Sequence, residues 1–245
     1  MAHQTIFKRY ELKYMLTKAQ LERIKRGMEA YMQGDAYGRS TICNIYYDTS
    51  SFLLIRRSIE KPVYKEKLRL RSYGVPTADK PCFLELKKKY KGIVFKRRIS
   101  APYTDIKSYM AGEDSGIENS QILKEIDYFR RFYGCLKPAA DIFYDREAFY
   151  DRTDSSVRLT FDCNVLARGW DLELENGIYG ERVLENGLYI LEVKTSGAMP
   201  MWIAEMLNEF KIYPISFSKY GTAYKNGLLT RENKKIITLG GEYCA

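Results

Sequence analysis

The sequence predicts an α+β fold, a closed antiparallel β-barrel (a tunnel) of about eight strands with helices at its periphery. Three observations carry this expectation. Segments that alternate in character at every second residue follow one another along the chain. Turn residues separate several of them closely enough for hairpins. The polar side of the alternation is, strand after strand, mainly lysine and arginine.

The elements fall in order. Phe7 to Leu16 alternates as a strand, and Thr17 caps a helix to about Met32, with Leu21, Ile24 and Met28 on one face. Ser40 to Asp48 is a second strand and Phe52 to Ile59 a short helix. Val63 to Tyr73, Cys82 to Tyr90 and Ile93 to Ala101 form a meander, the last pair joined by Lys91-Gly92. Ile117 to Tyr133 spaces Ile122, Ile126 and Phe129 for a buried helical stripe. Ala140 to Tyr150 and Val157 to Ala167 are strands, Gly169 to Gly187 is a hairpin or an excursion, and Tyr189 to Thr195 is a strand. Met201 to Phe210 and Lys219 to Leu229 close the chain as helices. No linker, repeat or low-complexity tract divides the sequence, so residues 1–245 are expected as one domain.

The faces of these strands are chemically lopsided. Lys67, Arg69 and Arg71 share a face opposite Leu68 and Leu70; Glu85, Lys87 and Lys89 share one opposite Phe83 and Leu86. Lys96 with Arg98, Arg158 with Thr160 and Asp162, Glu192 with Lys194, and Arg9 with Glu11 and Lys13 repeat the pattern. One such face is ordinarily a solvated surface. Six of them would place like charges on neighbouring strands, which repel unless an anion neutralises them. A barrel with apolar outer faces under helices and a cationic interior suits a linear polyanion, since arginine gives phosphate charge-assisted, often bidentate hydrogen bonds. The few carboxylates among these cations suit Mg²⁺ or Mn²⁺, which prefer oxygen donors.

Composition narrows the chemistry. The chain of 245 residues carries a net charge of +9 and a hydrophobic fraction of 45%, enough for a sizeable core and a bias toward anionic partners. His3 is the only histidine, which removes the base of Ser-His-Asp or Cys-His catalysis. Cys43, Cys82, Cys135, Cys163 and Cys244 are odd in number and never spaced as CxxC, against a disulfide framework and a zinc site. No apolar run approaches the ~20 residues of a membrane span and the start is not a signal segment, so a cytoplasmic protein without an intrinsic membrane segment is expected. Neither a Walker A loop nor a kinase glycine loop is present, and no nucleic-acid motif, so nucleic acid is not the expected partner.

Taken as an ordered set, these residues resemble a known family. Arg9-Tyr-Glu-Leu-Lys-Tyr14, Tyr46-Tyr-Asp-Thr49, Lys67-Leu-Arg-Leu-Arg71, Phe83-Leu-Glu-Leu-Lys87 and Val94-Phe-Lys-Arg-Arg98 open it. Tyr144-Asp-Arg-Glu-Ala-Phe149, Arg158-Leu-Thr-Phe-Asp162, Leu191-Glu-Val-Lys194 and Ser218-Lys-Tyr220 complete it. The chain is similar to the polyphosphate polymerase (VTC) domain of the triphosphate tunnel metalloenzyme, or CYTH-like, superfamily. The resemblance implies a tunnel that binds ATP and passes its γ-phosphate to a polyphosphate chain with a divalent metal. It implies phosphate contacts from Lys13, Arg69, Arg71, Lys87, Lys96, Arg98, Arg146, Arg158, Lys194 and Lys219, with Lys13, Arg69, Arg71, Lys87, Arg158 and Lys194 closest to the chemistry. It implies Glu192 as the metal ligand. Triphosphatases of the superfamily open with Glu-x-Glu-x-Lys, whereas this chain reads Arg9-x-Glu11-x-Lys13. A cation in place of the first acid favours transfer over hydrolysis; a triphosphatase or a non-catalytic polyphosphate or nucleotide sensor is the alternative.

Overall fold

The computed structural model describes residues 10–230 and 237–238, so Arg9 and the argument built on it lie outside the described residues. The strands are β1 (Tyr10–Thr17), β2 (Met32–Asp48), β3 (Tyr64–Tyr73), β4 (Pro81–Tyr90), β5 (Ile93–Pro102), β6 (Lys137–Asp151), β7 (Arg158–Arg168), β8 (Tyr179–Arg182), β9 (Leu188–Thr195) and β10 (Ile237–Thr238). The helices are α1 (Lys18–Met28), α2 (Leu53–Ile59), α3 (Tyr103–Ala111), α4 (Gln121–Tyr133), α5 (Met201–Glu209) and α6 (Lys219–Lys225). All strand pairings are antiparallel, and the main path runs β1-β9-β7-β6-β2-β3-β4-β5, with β8 on β7 and β10 on β8.

The sheet is strongly curved but not closed by backbone pairing. β1 pairs β9 and β5 pairs β4, and these two end strands do not pair with each other among the described residues. The expected closed barrel is therefore an open trough. Side chains nevertheless span it, because the Lys87 ammonium of β4 donates to Glu11 Oε2 of β1 at 3.0 Å. β4 lies six places from β1 in the sheet order. In a flat sheet that would be about 29 Å, at ~4.8 Å per strand. Only a sheet curled almost onto itself allows the contact.

Two apolar clusters cover the convex side. Tyr14, Leu16, Leu159, Phe161, Leu191 and Val193 pack beneath Leu21, Ile24 and Met28 of α1 and Ile203, Met206 and Leu207 of α5. Cys43, Ile45, Leu68, Leu70, Leu84 and Leu86 pack beneath Tyr103, Ile106 and Tyr109 of α3 and Leu123, Ile126 and Phe129 of α4. Leucine on one side of each strand and cation on the other thus fixes which face turns inward. A third cluster, with Tyr46, Ile142, Tyr144 and Tyr220, closes one end of the concave side using α2 and α6. Asp48 anchors that plug. Its carboxylate accepts the Leu54 and Ile55 amides at 2.9 and 3.0 Å, capping α2, and the Tyr220 hydroxyl at 3.0 Å.

Element boundaries differ from the expectation at identifiable places. α1 ends at Met28, and β2 begins at Met32 rather than Ser40, taking up an irregular pairing with β6 between Gly34 and Arg39. α3 was not anticipated, although Tyr103, Ile106 and Met110 have helical spacing and Gly112 ends the helix at φ 86°. α4 starts at Gln121, where the Ser120 hydroxyl accepts the Leu123 amide, so residues 117–120 stay outside it. The 169–187 region holds a short 3₁₀ turn, Leu174–Asn176, and β8. Phe83, expected opposite Glu85, lies on the same face, since the period of two places 83, 85 and 87 together.

Candidate polyanion-binding site

The inward residues of neighbouring strands meet in register. Lys13 of β1 faces Glu192 of β9, which faces Thr160 of β7; Arg146 of β6 faces Asp162 of β7. Across the trough, Arg69 and Lys67 of β3 face Glu85 and Lys87 of β4, which face Arg98 and Lys96 of β5.

Two buried carboxylate centres result. In the first, Asp162 takes both arms of the Arg146 guanidinium at 2.6 and 2.7 Å and a further contact from the Lys219 ammonium. Beside it, Glu192 is held by Lys194 at 2.7 Å, Lys13 at 3.2 Å and Arg146 at 3.3 Å. In the second, Glu85 is surrounded by Arg69 at 2.8 Å, Arg71 at 3.8 Å and Lys96. Glu11, with Lys87 on one side and Lys13 at 3.7 Å on the other, links the ends of the curled sheet. Tyr144 joins the two centres: its hydroxyl accepts from Arg71 Nη2 at 3.3 Å, and the Lys219 ammonium lies 4.2 Å above its ring.

The charge states follow from these contacts. Burial opposes ionisation of Glu85, but Arg71, Arg69 and Lys96 overcome it and hold its pKa well below the usual carboxylate range. Burial of Glu192 is likewise outweighed by Lys194, Lys13 and Arg146, and burial of Asp162 by Arg146 and Lys219. Glu11 is held low in the same way, against its own burial, chiefly by Lys87. Burial raises the Tyr144 phenol, yet Arg146, Arg71 and Lys219 bring it down to about 8.

Cations remain in excess. Lys67 has no ion pair among the described residues; its ammonium donates to the Ser218 hydroxyl at 3.1 Å. Burial, with repulsion from Lys13, Lys87, Lys65 and Arg69, drives its pKa down to about 7. Arg158 sits at the other end of the concave face, with Asp35 at 3.6 Å and Tyr150 beneath its guanidinium. Arg98 is exposed at the rim, 4.5 Å from the Phe83 ring centroid.

The structure thus brings together Lys13, Arg69, Arg71, Lys87, Lys96, Arg146, Lys194 and Lys219 around four carboxylates, with Lys67 among them and Arg98 and Arg158 toward the margins. Sequence reasoning missed three polar supports. Asn44 accepts from Arg71 Nε at 3.2 Å and donates to the Ile142 carbonyl at 2.9 Å. The Tyr46 hydroxyl accepts from Arg69 at 3.2 Å, and Tyr144 meets Arg71. Register was the signal for two of them, since Asn44 lies opposite Arg71 and Tyr46 opposite Arg69 on the adjoining strand; Tyr144, on β6 and two strands from Arg71, had none.

Glu192 is placed among cations, and no group of three or more Asp, Glu, Cys or His side chains among the described residues could hold a metal ion. The donor set offers a divalent ion one carboxylate, with phosphate and water left to complete its shell, as Mg²⁺ sites on nucleotides commonly do. No helix among the described residues is long and apolar enough to cross a membrane.

The curved antiparallel sheet with helices outside is shared with a known structure. A candidate adenylate cyclase from Bacillus halodurans aligns with a TM-score of 0.54 at 13% identity, covering 88% of this chain and 96% of that one. A candidate adenylate cyclase from Vibrio parahaemolyticus aligns at a TM-score of 0.48 and 13% identity, over 89% and 98% of the two chains. A comparison with curated proteins gives no match. The VTC domain family model matches residues 8–227, and the chain belongs to that family.

Proposed function

We propose that the protein is a polyphosphate polymerase that transfers the γ-phosphate of ATP to a polyphosphate chain. The observation that carries this reading is the pairing pattern of the concave face: every carboxylate on it is engaged by lysine or arginine, while cations are left over. The leftover charge calls for a polyanion. The engaged carboxylates, with pKa values held low, are poor proton acceptors. Hydrolysis needs a base to activate water. A terminal phosphate oxygen of an acceptor chain is already anionic and needs none.

Arg69, Arg71, Lys96 and Lys87 on one wall and Lys13, Arg146, Arg158, Lys194 and Lys219 on the other hold the phosphates of donor and acceptor in line. The acceptor oxygen forms a bond to the γ-phosphorus as the bond from that phosphorus to the β,γ-bridging oxygen breaks, and ADP leaves with the electron pair. Mn²⁺ or Mg²⁺ would come with the ATP substrate and supply charge neutralisation on its phosphates, and Glu192 would be the carboxylate to hold it once phosphate draws off Lys13, Arg146 and Lys194. Lys67, with a pKa near neutrality, adjusts its charge to the phosphate count along the trough.

Incubation with ATP, Mn²⁺ and a short polyphosphate primer is expected to give ADP and chains longer than the primer on a gel, with free phosphate the minor product. Release of one orthophosphate per ATP with no longer chain would replace this reading with a triphosphatase.

A further inference from the structure

The open end of the trough carries an aromatic row that phosphate binding does not use. Strand alternation places Tyr73 two residues beyond Arg71 on the inward face of β3, and Phe83 directly opposite Arg71 on β4. Tyr73 meets Phe83 edge-on, with ring centroids 6.0 Å apart. Tyr37 of β2 stacks on Tyr73, with centroids at 6.3 Å and planes within 21°. The Arg98 guanidinium lies over the Phe83 ring, 4.5 Å from its centroid. The row is thus Tyr37, Tyr73, Phe83, Arg98, all on one rim.

Two features are unusual for a structural stack. Tyr37 is 78% exposed and Tyr73 41%, so the rings leave large apolar faces in water. Tyr37 also sits in the stretch where β2 loses its register with β6, between Gly34 and Arg39, and next to Gly38, whose φ of 57° suits glycine. The irregularity turns a tyrosine toward the rim that continuous pairing would aim by strand alternation.

The row begins about one side-chain repeat, roughly 7 Å, from the Arg71 guanidinium strand position. A polyphosphate chain has nothing to place against exposed aromatic faces. A nucleoside triphosphate does. With its phosphates along Arg71 and Arg69, its base would project beyond Arg71 toward the open end, because the opposite end is closed by Tyr46, Tyr220 and α6. Bases stack on aromatic rings and on arginine planes largely irrespective of their hydrogen-bonding edges.

We propose that Tyr37 and Tyr73, backed by Phe83 and Arg98, form a nucleobase-stacking platform that distinguishes the nucleotide donor from the phosphate-only acceptor. This rests on the phosphate-binding reading above. It assigns donor and acceptor different ends of contact: the base on the aromatic rim, the chain on the cations alone. The platform favours purine over pyrimidine by stacking area and makes no base-specific hydrogen bond.

The test compares ligands within each variant by calorimetry, using ATP, CTP and tripolyphosphate with wild type, Tyr37→Ser, and Tyr37→Ser/Tyr73→Ser. Tyr128→Ser is the control, since Tyr128 is exposed and stacked on Phe132 on helix α4. The double variant is expected to bind ATP about tenfold more weakly, the range of one lost base stack, and to lose its preference for ATP over CTP. Its tripolyphosphate affinity is expected to stay within about twofold of wild type, which also shows that it folds. Equal losses for ATP and tripolyphosphate, or no loss for ATP, would overturn the platform while leaving the phosphate site standing. Failure of wild type to bind tripolyphosphate would overturn the phosphate-binding reading, and the platform with it.

Discussion

Two buried arginine–aspartate pairs in this molecule look alike and do different things. Arg168 and Asp141 are wholly buried, 2.7 Å apart. The remaining Arg168 donors go to the Glu173 and Gly177 carbonyls at 2.6 and 3.1 Å, and its plane rests between Phe143 and Tyr179. No lysine or second arginine joins the contact; burial pushes the Asp141 carboxyl up to about 8 against the pull of Arg168, Asp171 and Glu173 add to the rise, and Asp141 Oδ1 has no hydrogen-bond partner among the described residues. Arg146 and Asp162 are as close, but Lys219 joins Asp162 and Arg146 reaches on to Glu192, where Lys13 and Lys194 already sit. One pair gathers no further cation and fastens the sheet to the 169–187 region. The other belongs to a network whose cations outnumber its carboxylates. Burial and distance do not separate structure from function here; the further cations gathered on the second pair do.

The largest effect is expected where the enclosed pair is broken. Arg168→Met takes the guanidinium from Asp141 and leaves the Glu173 and Gly177 carbonyls buried without a donor, at a cost of about 3–5 kcal/mol. Thermal unfolding should show this loss, and tripolyphosphate should shift the melting temperature by the same increment as in wild type. Arg146→Met leaves Asp162 with Lys219 and Glu192 with Lys13 and Lys194, so its ligand-free cost should be smaller while the tripolyphosphate shift falls. Equal costs and equal shifts in the two variants would erase the distinction.

Glu192→Gln comes next. It removes an anion from a cage of cations, so the ligand-free protein should lose stability through unrelieved repulsion. Tripolyphosphate, supplying anions to the same cage, should still raise the melting temperature by mass action. Phosphate transfer from ATP should fall by more than tenfold. Full activity in this variant would show that Glu192 has no part in handling the metal–nucleotide substrate.

The inward charge was legible because a strand has a period of two and leucine marks the other side: Leu68 and Leu70 alone orient Lys67, Arg69 and Arg71. What closes the trough was not legible. Closure or its absence depends on whether β1 and β5 pair, and nothing local in either sequence encodes the distance between strands at opposite ends of the path. Glu11 and Lys87 meet through the sum of every twist between them. Nor could the sequence say which carboxylates are free. Glu192 reads as a lone acid among cations, which suits a metal ligand, and only the three-dimensional count of partners shows Lys13, Arg146 and Lys194 already upon it. The aromatic rim was hidden for a simpler reason: tyrosines at 37 and 73 are 36 positions apart in sequence, and the irregular stretch of β2 that joins them has no strand periodicity to read.

Lys67 gives the sharpest single-residue contrast, because it has no carboxylate partner among the described residues. Replacing it with methionine keeps the apolar stem and removes the repulsion from Lys13, Lys87 and Arg69. Ligand-free stability should therefore stay level or rise, while tripolyphosphate affinity drops about tenfold, the worth of one charge-assisted phosphate contact. Loss of stability without loss of affinity would place Lys67 with the structural residues, held by Ser218.

The smallest effect is a pH slope. Lysine ordinarily titrates near 10.5, and burial with neighbouring cations brings Lys67 to about 7. Lys96 also falls to about 7, because burial outweighs the pull of Glu85. Between about pH 7 and 10.5 the unfolded chain therefore keeps protons that the folded chain has released. The two lysines make stability rise with pH across that window, and below pH 7, where both states are protonated, the full cost of their buried charge is present. Asp141, pushed up to about 8 by burial, opposes the rise until about pH 8, and Tyr144, brought down to about 8, adds to it above. Polyanion binding has the opposite sign, since it prefers the protonated lysines. From about pH 8 to 10 the ligand-free melting temperature should rise and the increment from tripolyphosphate should shrink. Lys67→Met should lessen both trends and leave the part due to Lys96 and Tyr144. Identical profiles for wild type and Lys67→Met over this range would mean that Lys67 stays charged without phosphate, and this cation would then be a tolerated neighbour of Ser218 rather than a charge held ready for a ligand.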